Sequence, residues 1–160
     1  RIDDKSKILS EISSFIGFGP GLTPWGDDFL CGFMAGFDCL SKDLDQKIKL
    51  HKLRDILIRN FDATGDISKS MLSDAVLGQH GELIVDTCQA LFDPKFSPKF
   101  TSRVCKLIEV GETSGSASCL GILSGIAAVT KCNELYKVNF LRMMLRLKDK
   151  VYVPHLETVP

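Results

Sequence analysis

The sequence has no surplus of charge: 20 Lys and Arg stand against 20 Asp and Glu in 160 residues. Proteins whose main task is to grip nucleic acid carry a basic excess, because neutralised phosphates supply most of the affinity. The balance argues against that class and against a polybasic membrane role. Long apolar runs are also missing. The most apolar stretch, Cys119 to Val129, is far short of the roughly 20 residues that cross a bilayer. Histidine is scarce, with only His51, His80 and His155. No two of them have metal-ligand spacing, and no Ser/His/Asp constellation can be argued from them. Alternating Val/Ile/Thr segments joined by hairpin turns, the signature of antiparallel strands, are absent.

What remains is a chain with 44% hydrophobic residues, long enough to bury a core. Cys31, Cys39, Cys88, Cys105, Cys119 and Cys132 form no CxxC pair, and most lie in apolar runs. They read as reduced core residues of a cytoplasmic protein rather than a disulfide framework.

The periodicity is helical almost throughout. Ile8, Leu9, Ile12, Phe15 and Ile16 make one apolar stripe. A glycine loop, 17–26, then leads into a helix expected from Pro24 to Leu40, with Thr23 as cap and Pro24 at its first position. Further helices are expected at Leu44–Phe61, Ile67–Leu77, Glu82–Phe92, Lys99–Val110, Ser116–Lys131 and Leu135–Leu147, before an extended tail at Val151–Pro160. The expected fold is all-α: a single helical domain over 1–160, with about seven or eight helices.

Three helix starts carry the candidate site. The loop Gly17-Phe18-Gly19-Pro20-Gly21-Leu22-Thr23-Pro24-Trp25-Gly26-Asp27-Asp28 feeds an apolar helix. Exposed amides and the helix dipole make such a place suited to an anion, and glycine lets a ligand approach the backbone. It is neither a P-loop nor a dinucleotide fingerprint, because no Gly-Lys-Ser/Thr follows and no strand precedes. Asp27 and Asp28 either stabilise the helix start or hold Mg²⁺ or a substrate N–H group. Neighbouring carboxylates point to different sides of a helix, so at most one faces a given site. The second start, Gly111-Glu112-Thr113-Ser114-Gly115-Ser116, offers hydroxyls for capping or binding. The third, Thr64-Gly65-Asp66-Ile67-Ser68, offers Thr64 or Asp66 as cap, with Ser68 of interest if it joins the other two. Trp25 serves as a core anchor or a ligand-stacking wall.

Gly26, Gly32 and Gly36 recur as Gly115, Gly121 and Gly125 at a constant offset of 89 residues. Glycine inside a helix costs about 1 kcal/mol relative to alanine. Small residues four apart let helices approach closely. The two helices are therefore expected to cross at short distance, bringing loops 17–26 and 111–116 to one end of the molecule.

The string Gly17-x-Gly19-Pro20-Gly21-Leu22-Thr23-Pro24-x-Gly26-Asp27-Asp28-Phe29-Leu30-x-Gly32 resembles the hallmark of the AllH-like family, whose members include a subunit of bacterial oxamate carbamoyltransferase. Thr64, Ile67-Ser68, Leu72, Ala75 and Gly78 are similar to a second family element, and Thr113-Ser114-Gly115 with Gly121-Ile122 to a third. The resemblance implies carbamoyl transfer between oxalurate and phosphate, giving oxamate and carbamoyl phosphate in purine catabolism. It also implies a small anionic substrate, partner subunits and a longer family member, of which this chain is the C-terminal portion. On that reading the amides of Gly19, Gly21 and Gly26 hold phosphate or carboxylate, and Thr23, Asp27 or Asp28 holds the carbamoyl amide or a metal. Asp27 and Asp28 are then the catalytic candidates. Thr64, Ser68, Thr113, Ser114 and Gly115 join the substrate-binding set. The resemblance fixes no cofactor; Mg²⁺, held by Asp27 or Asp28, stays open. Two other classes stay open: a Mg²⁺-dependent hydrolase or transferase using Asp27 and Asp28, and a non-catalytic subunit or binding module.

Overall fold

The computed structural model describes residues 12–91 and 98–130. The expected helix at Leu135–Leu147, the tail, Cys132, His155, Ile8 and Leu9 lie outside them. Among the described residues the chain is all-helical and strand-free. Residues 12–15 are helical (α1). They are followed by α2 (Trp25–Leu40), α3 (Leu44–Arg59), a 3₁₀ turn (Phe61–Ala63), α4 (Asp66–Val76), α5 (Glu82–Leu91), α6 (Pro98–Ile108) and α7 (Ser114–Thr130).

The helix starts differ from expectation in ways that matter for the site. Pro24 caps α2 at φ −52°, and no side chain bonds the free amides. Its carbonyl instead accepts from the Asp27 and Asp28 N–H groups at 3.0 and 3.2 Å. Thr23 is released from capping. Gly65, not Thr64 or Asp66, is the cap residue of α4, which likewise releases Thr64. At α3 the rule holds: Asp43 and Gln46 form a capping box. Gly78, at φ +77°, follows α4 and turns the chain.

The centre of the fold is the contact between α2 and α7. α7 is apolar on nearly every side, as a helix enclosed by others must be. A Cβ on Gly32 would run into the Ser118 carbonyl, and one on Gly36 into the Ile122 carbonyl. Conversely, a Cβ on Gly121 would meet the Phe29 carbonyl, and one on Gly125 the Phe33 carbonyl. Shifting by 89 residues turns each of these pairs into its counterpart, so the crossing has an approximate two-fold relation. The contacts advance together along both helices, so α2 and α7 run parallel. Their amino ends therefore lie at the same end of the pair. Gly26 and Gly115 play matching parts as well, one beneath the Phe15 carbonyl and the other beneath the Leu107 carbonyl.

Two apolar clusters flank this pair. On one side Cys88, Leu91, Val104 and Leu107 of α5 and α6 pack with Cys119, Ile122 and Ile126. On the other, Leu50, Leu53, Leu57 and Leu72 of α3 and α4 pack with Leu30, Met34 and Phe37. Cys31, Cys88 and Cys119 are core residues as expected, whereas Cys39 is exposed and Cys105 half-buried. No helix among the described residues is long and apolar enough to cross a membrane.

The crossing makes a direct mutational forecast. Gly32→Ala or Gly121→Ala forces a methyl into a backbone carbonyl, and overpacking of this kind costs about 1–3 kcal/mol or more. Gly81→Ala, whose Cβ meets nothing within 4 Å, loses only the preference for glycine at the start of α5 and costs less, at most about 1 kcal/mol. Thermal melts of the three variants check this.

Candidate functional site

The shared amino end of α2 and α7 brings the three predicted loops together. The Thr23 hydroxyl, freed from capping, lies 3.1 Å from the Ser114 hydroxyl at the start of α7. The Thr64 hydroxyl donates to Asp27 Oδ2 at 2.5 Å. Ser68 is fully buried, with its Oγ 3.5 Å from the Leu22 carbonyl, a long contact that still ties α4 to the first loop. Ser118 donates to the Asp28 carbonyl at 3.3 Å.

Asp27 and Asp28 are 1% and 2% exposed, an unusual condition for carboxylates. Their surroundings separate them. Asp27 has a partner on each oxygen: the Gly17 N–H at 2.8 Å on Oδ1 and Thr64 on Oδ2. It locks the first loop and the α4 approach to the start of α2. Gly17 must be glycine here, because its φ is +73° and a Cβ would strike the Ala63 carbonyl.

Asp28 points the other way. Its Oδ2 is buried without a hydrogen-bond partner. Desolvation raises its pKa above the ordinary 3.8; the Ser114 and Thr23 hydroxyls pull it down, and the Asp27 charge adds to the rise. A buried acceptor without a donor costs free energy unless something supplies one.

The expected anion cradle is only partly present. The Gly26 N–H is taken by the Phe18 carbonyl at 2.8 Å, and the Gly115 N–H by the Val110 carbonyl at 2.9 Å. Neither amide is free to hold a ligand, because the chain just past the close-approaching Phe15 and Leu107 carbonyls supplies an acceptor to each. Thr113 contributes its carbonyl to the Ala117 N–H. Gly19 and Gly21 lie in the exposed part of the loop, at φ +110° and +99°. Phe18 and Leu22 beside them are 60% and 76% exposed. Trp25 stacks on Phe29 at 5.5 Å and 14°, and Phe29, Phe33 and Phe37 continue the row along α2. Its ring is half-buried, with Phe29 covering one face.

For a cation, both Asp27 oxygens are engaged by donors, which leaves Asp28 Oδ2 as the open carboxylate atom. Among the described residues no group of three or more His, Cys, Asp or Glu could hold a metal.

Away from this site, Arg54 Nη2 donates to both Asp38 oxygens at 2.9 Å, and His80 Nε2 lies 3.1 Å from Asp38 Oδ2. These residues are 16 and 42 positions apart, and no motif in the sequence joins them.

The difference between the two carboxylates is measurable. The native state holds the Asp28 proton to higher pH than the unfolded chain does. Stability contributed by protonated Asp28 is therefore present in acid and is lost as pH rises through its native pKa. Asp28→Asn removes the buried charge, so it raises Tm by a few degrees at pH 7, and the gain shrinks as pH falls toward 3.8. Asp27→Ala leaves the Gly17 N–H without its acceptor and costs about 1–3 kcal/mol. Melts of both variants across pH test the assignment.

Comparison with known proteins comes to one finding. No curated protein and no solved structure matches the chain significantly. The family model described as oxamate carbamoyltransferase subunit AllH matches residues 15–126, from the end of α1 through most of α7. That span contains the three loops, the whole of α2 and the part of α7 that carries Gly115, Gly121 and Gly125, and the chain belongs to the AllH family of oxamate carbamoyltransferase subunits.

Proposed function

We propose that this chain carries the small-molecule site of an oxamate carbamoyltransferase and acts with partner subunits in moving a carbamoyl group between oxalurate and phosphate. The observation that carries the reading is the unpartnered Asp28 Oδ2, buried beside the Thr23 and Ser114 hydroxyls. A carbamoyl or oxamate amide has the complementary pattern. Its NH₂ donates to Asp28, and its carbonyl accepts from a hydroxyl. The parallel amino ends of α2 and α7 put two positive dipole ends at the same place, which favours the oxyanion of such a substrate. Gly19 and Gly21 are the loop glycines left to approach its phosphate or carboxylate.

The chemistry follows from Asp28. Phosphate attacks the carbamoyl carbon of oxalurate, the C–N bond to oxamate breaks, and the departing nitrogen needs a proton. A carboxyl whose pKa is raised by burial is suited to give it, and to take it back in the reverse direction. Thr23 and Ser114 hold the group in place. Asp27, with both oxygens occupied, serves as a strut. The free cysteines among the described residues support the cytoplasm as the place of this reaction.

A second reading has a specific observation in its favour. Phe18 and Leu22 present exposed apolar side chains on the loop over Asp28, as a loop does when a partner subunit or substrate covers it. On that reading the chain completes a site whose remaining groups come from the partner.

Calorimetric titration of the isolated chain with oxamate and with carbamoyl phosphate separates the two. Under the first reading the wild type binds, and Asp28→Asn, which keeps the shape and removes the acceptor charge, weakens binding by about tenfold or more, on the order of 1.4 kcal/mol. In the assembled enzyme the same variant lowers carbamoyl phosphate turnover by about a hundredfold. Full turnover in Asp28→Asn overturns the assignment of Asp28. Binding seen only in the assembled enzyme supports the second reading.

A further inference from the structure

Asp28 Oδ2 is buried as well as unpartnered, and the whole residue is 2% exposed. A ligand reaches such an atom only after something moves aside. Most of what surrounds it is fixed. α7 is held against α2, because Gly32, Gly36, Gly121 and Gly125 seat each helix on carbonyls of the other. The approach to α4 is bolted through Thr64 to Asp27. The base of the first loop is closed twice, by the Gly17 N–H on Asp27 Oδ1 and by the Gly26 N–H on the Phe18 carbonyl, both at 2.8 Å.

Residues 19–23, between those closures, are held differently. Gly19, Pro20 and Gly21 are exposed and make no hydrogen bond among the described residues. A Cβ on Gly21, at φ +99°, meets nothing within 4 Å, so glycine there serves the backbone conformation and not packing. Leu22 is 76% exposed and buries little. Two side-chain contacts close the segment. The Thr23 hydroxyl meets the Ser114 hydroxyl at 3.1 Å, and the Ser68 hydroxyl reaches the Leu22 carbonyl at 3.5 Å, a length at which little bonding remains. The Thr23–Ser114 contact spans from the loop to the first turn of α7. Asp28 sits in the angle between these two elements: its N–H is on the Pro24 carbonyl, and its own carbonyl accepts from Ser118, one turn further along α7. Both hydroxyls lower its pKa, as groups beside its carboxyl do.

Taking Asp28 as the ligand-binding carboxyl proposed above, we propose that residues 19–23 are a flap over it, latched by Thr23 on Ser114, whose opening admits the ligand. Backbone that buries little and makes few hydrogen bonds opens at small cost while the rest of the fold stays intact. The ends of the flap are fixed. Pro24, with φ −52°, bounds it at the helix start, and Gly17, pinned by Asp27, bounds it on the other side. In the open state Thr23 has left Ser114, and Asp28 Oδ2 is exposed to an incoming amide. Closure over the bound ligand restores the latch and keeps water from the carboxyl.

The opening is measurable without a ligand, by treating the folded chain with a water-soluble carbodiimide and an amine and mapping the labelled carboxyls by mass spectrometry. Asp27, just as buried as Asp28, is the internal control. In the wild type Asp28 is labelled several-fold faster than Asp27. Thr23→Val removes the latch and keeps the shape; it raises the Asp28 rate several-fold and leaves the Asp27 rate unchanged. Equal rates at the two residues mean that only unfolding exposes them, and they overturn the proposal. An Asp28 rate that Thr23→Val leaves unaltered overturns it too. The wild-type ratio decides by itself if Thr23→Val fails to fold. Because no ligand enters the measurement, a chain that opens in this way and yet takes up no oxamate contradicts the substrate reading and leaves the flap in place.

Discussion

Everything described here depends on how closely α2 and α7 approach. Four glycines remove the side chains that would keep the two backbones apart, and each would-be Cβ lands on a carbonyl of the other helix. Close packing of this kind gains dispersion over a long contact and offsets the intrinsic cost of glycine in a helix. Because the helices are parallel, it also sets their positive dipole ends side by side. Two buried carboxylates in the first turn of α2 answer that field, and neither has a Lys or Arg partner among the described residues.

The two carboxylates divide the work. Asp27 is satisfied on both oxygens and fastens the first loop and the α4 approach to the helix start. Asp28 sits on the α7 side, half satisfied, with a raised pKa. Structural polar groups in a core are normally fully paired. A carboxyl left open at such a point lowers stability, which is the pattern expected of a residue kept for binding or chemistry rather than for folding.

Much of this was legible in the sequence. The 89-residue offset between the glycine pairs announced the crossing, because glycine inside a helix needs a steric reason. The adjacent aspartates could be assigned to opposite sides, since successive helix residues diverge by about 100°. Other features were hidden. Thr23 and Thr64 looked like caps by local rules, yet a proline and a glycine took those positions and left the hydroxyls for distant partners. Gly26 looked like a free anion donor, but its amide, like that of Gly115, is taken by a carbonyl of the loop that follows the preceding helix. Cys39 looked like a core residue and is exposed, and the pairing of His80 with Asp38 depends on how the turn after α4 meets the end of α2. Local spacing carries no trace of such contacts.

The central claim is that the starts of α2 and α7 form one ligand site. An NMR titration of the isotopically labelled chain with oxamate tests it most directly. The account predicts that amide resonances in residues 19–28 and 114–118 move together and fit a single dissociation constant. Shifts confined to one helix start, or different constants for the two segments, would contradict it.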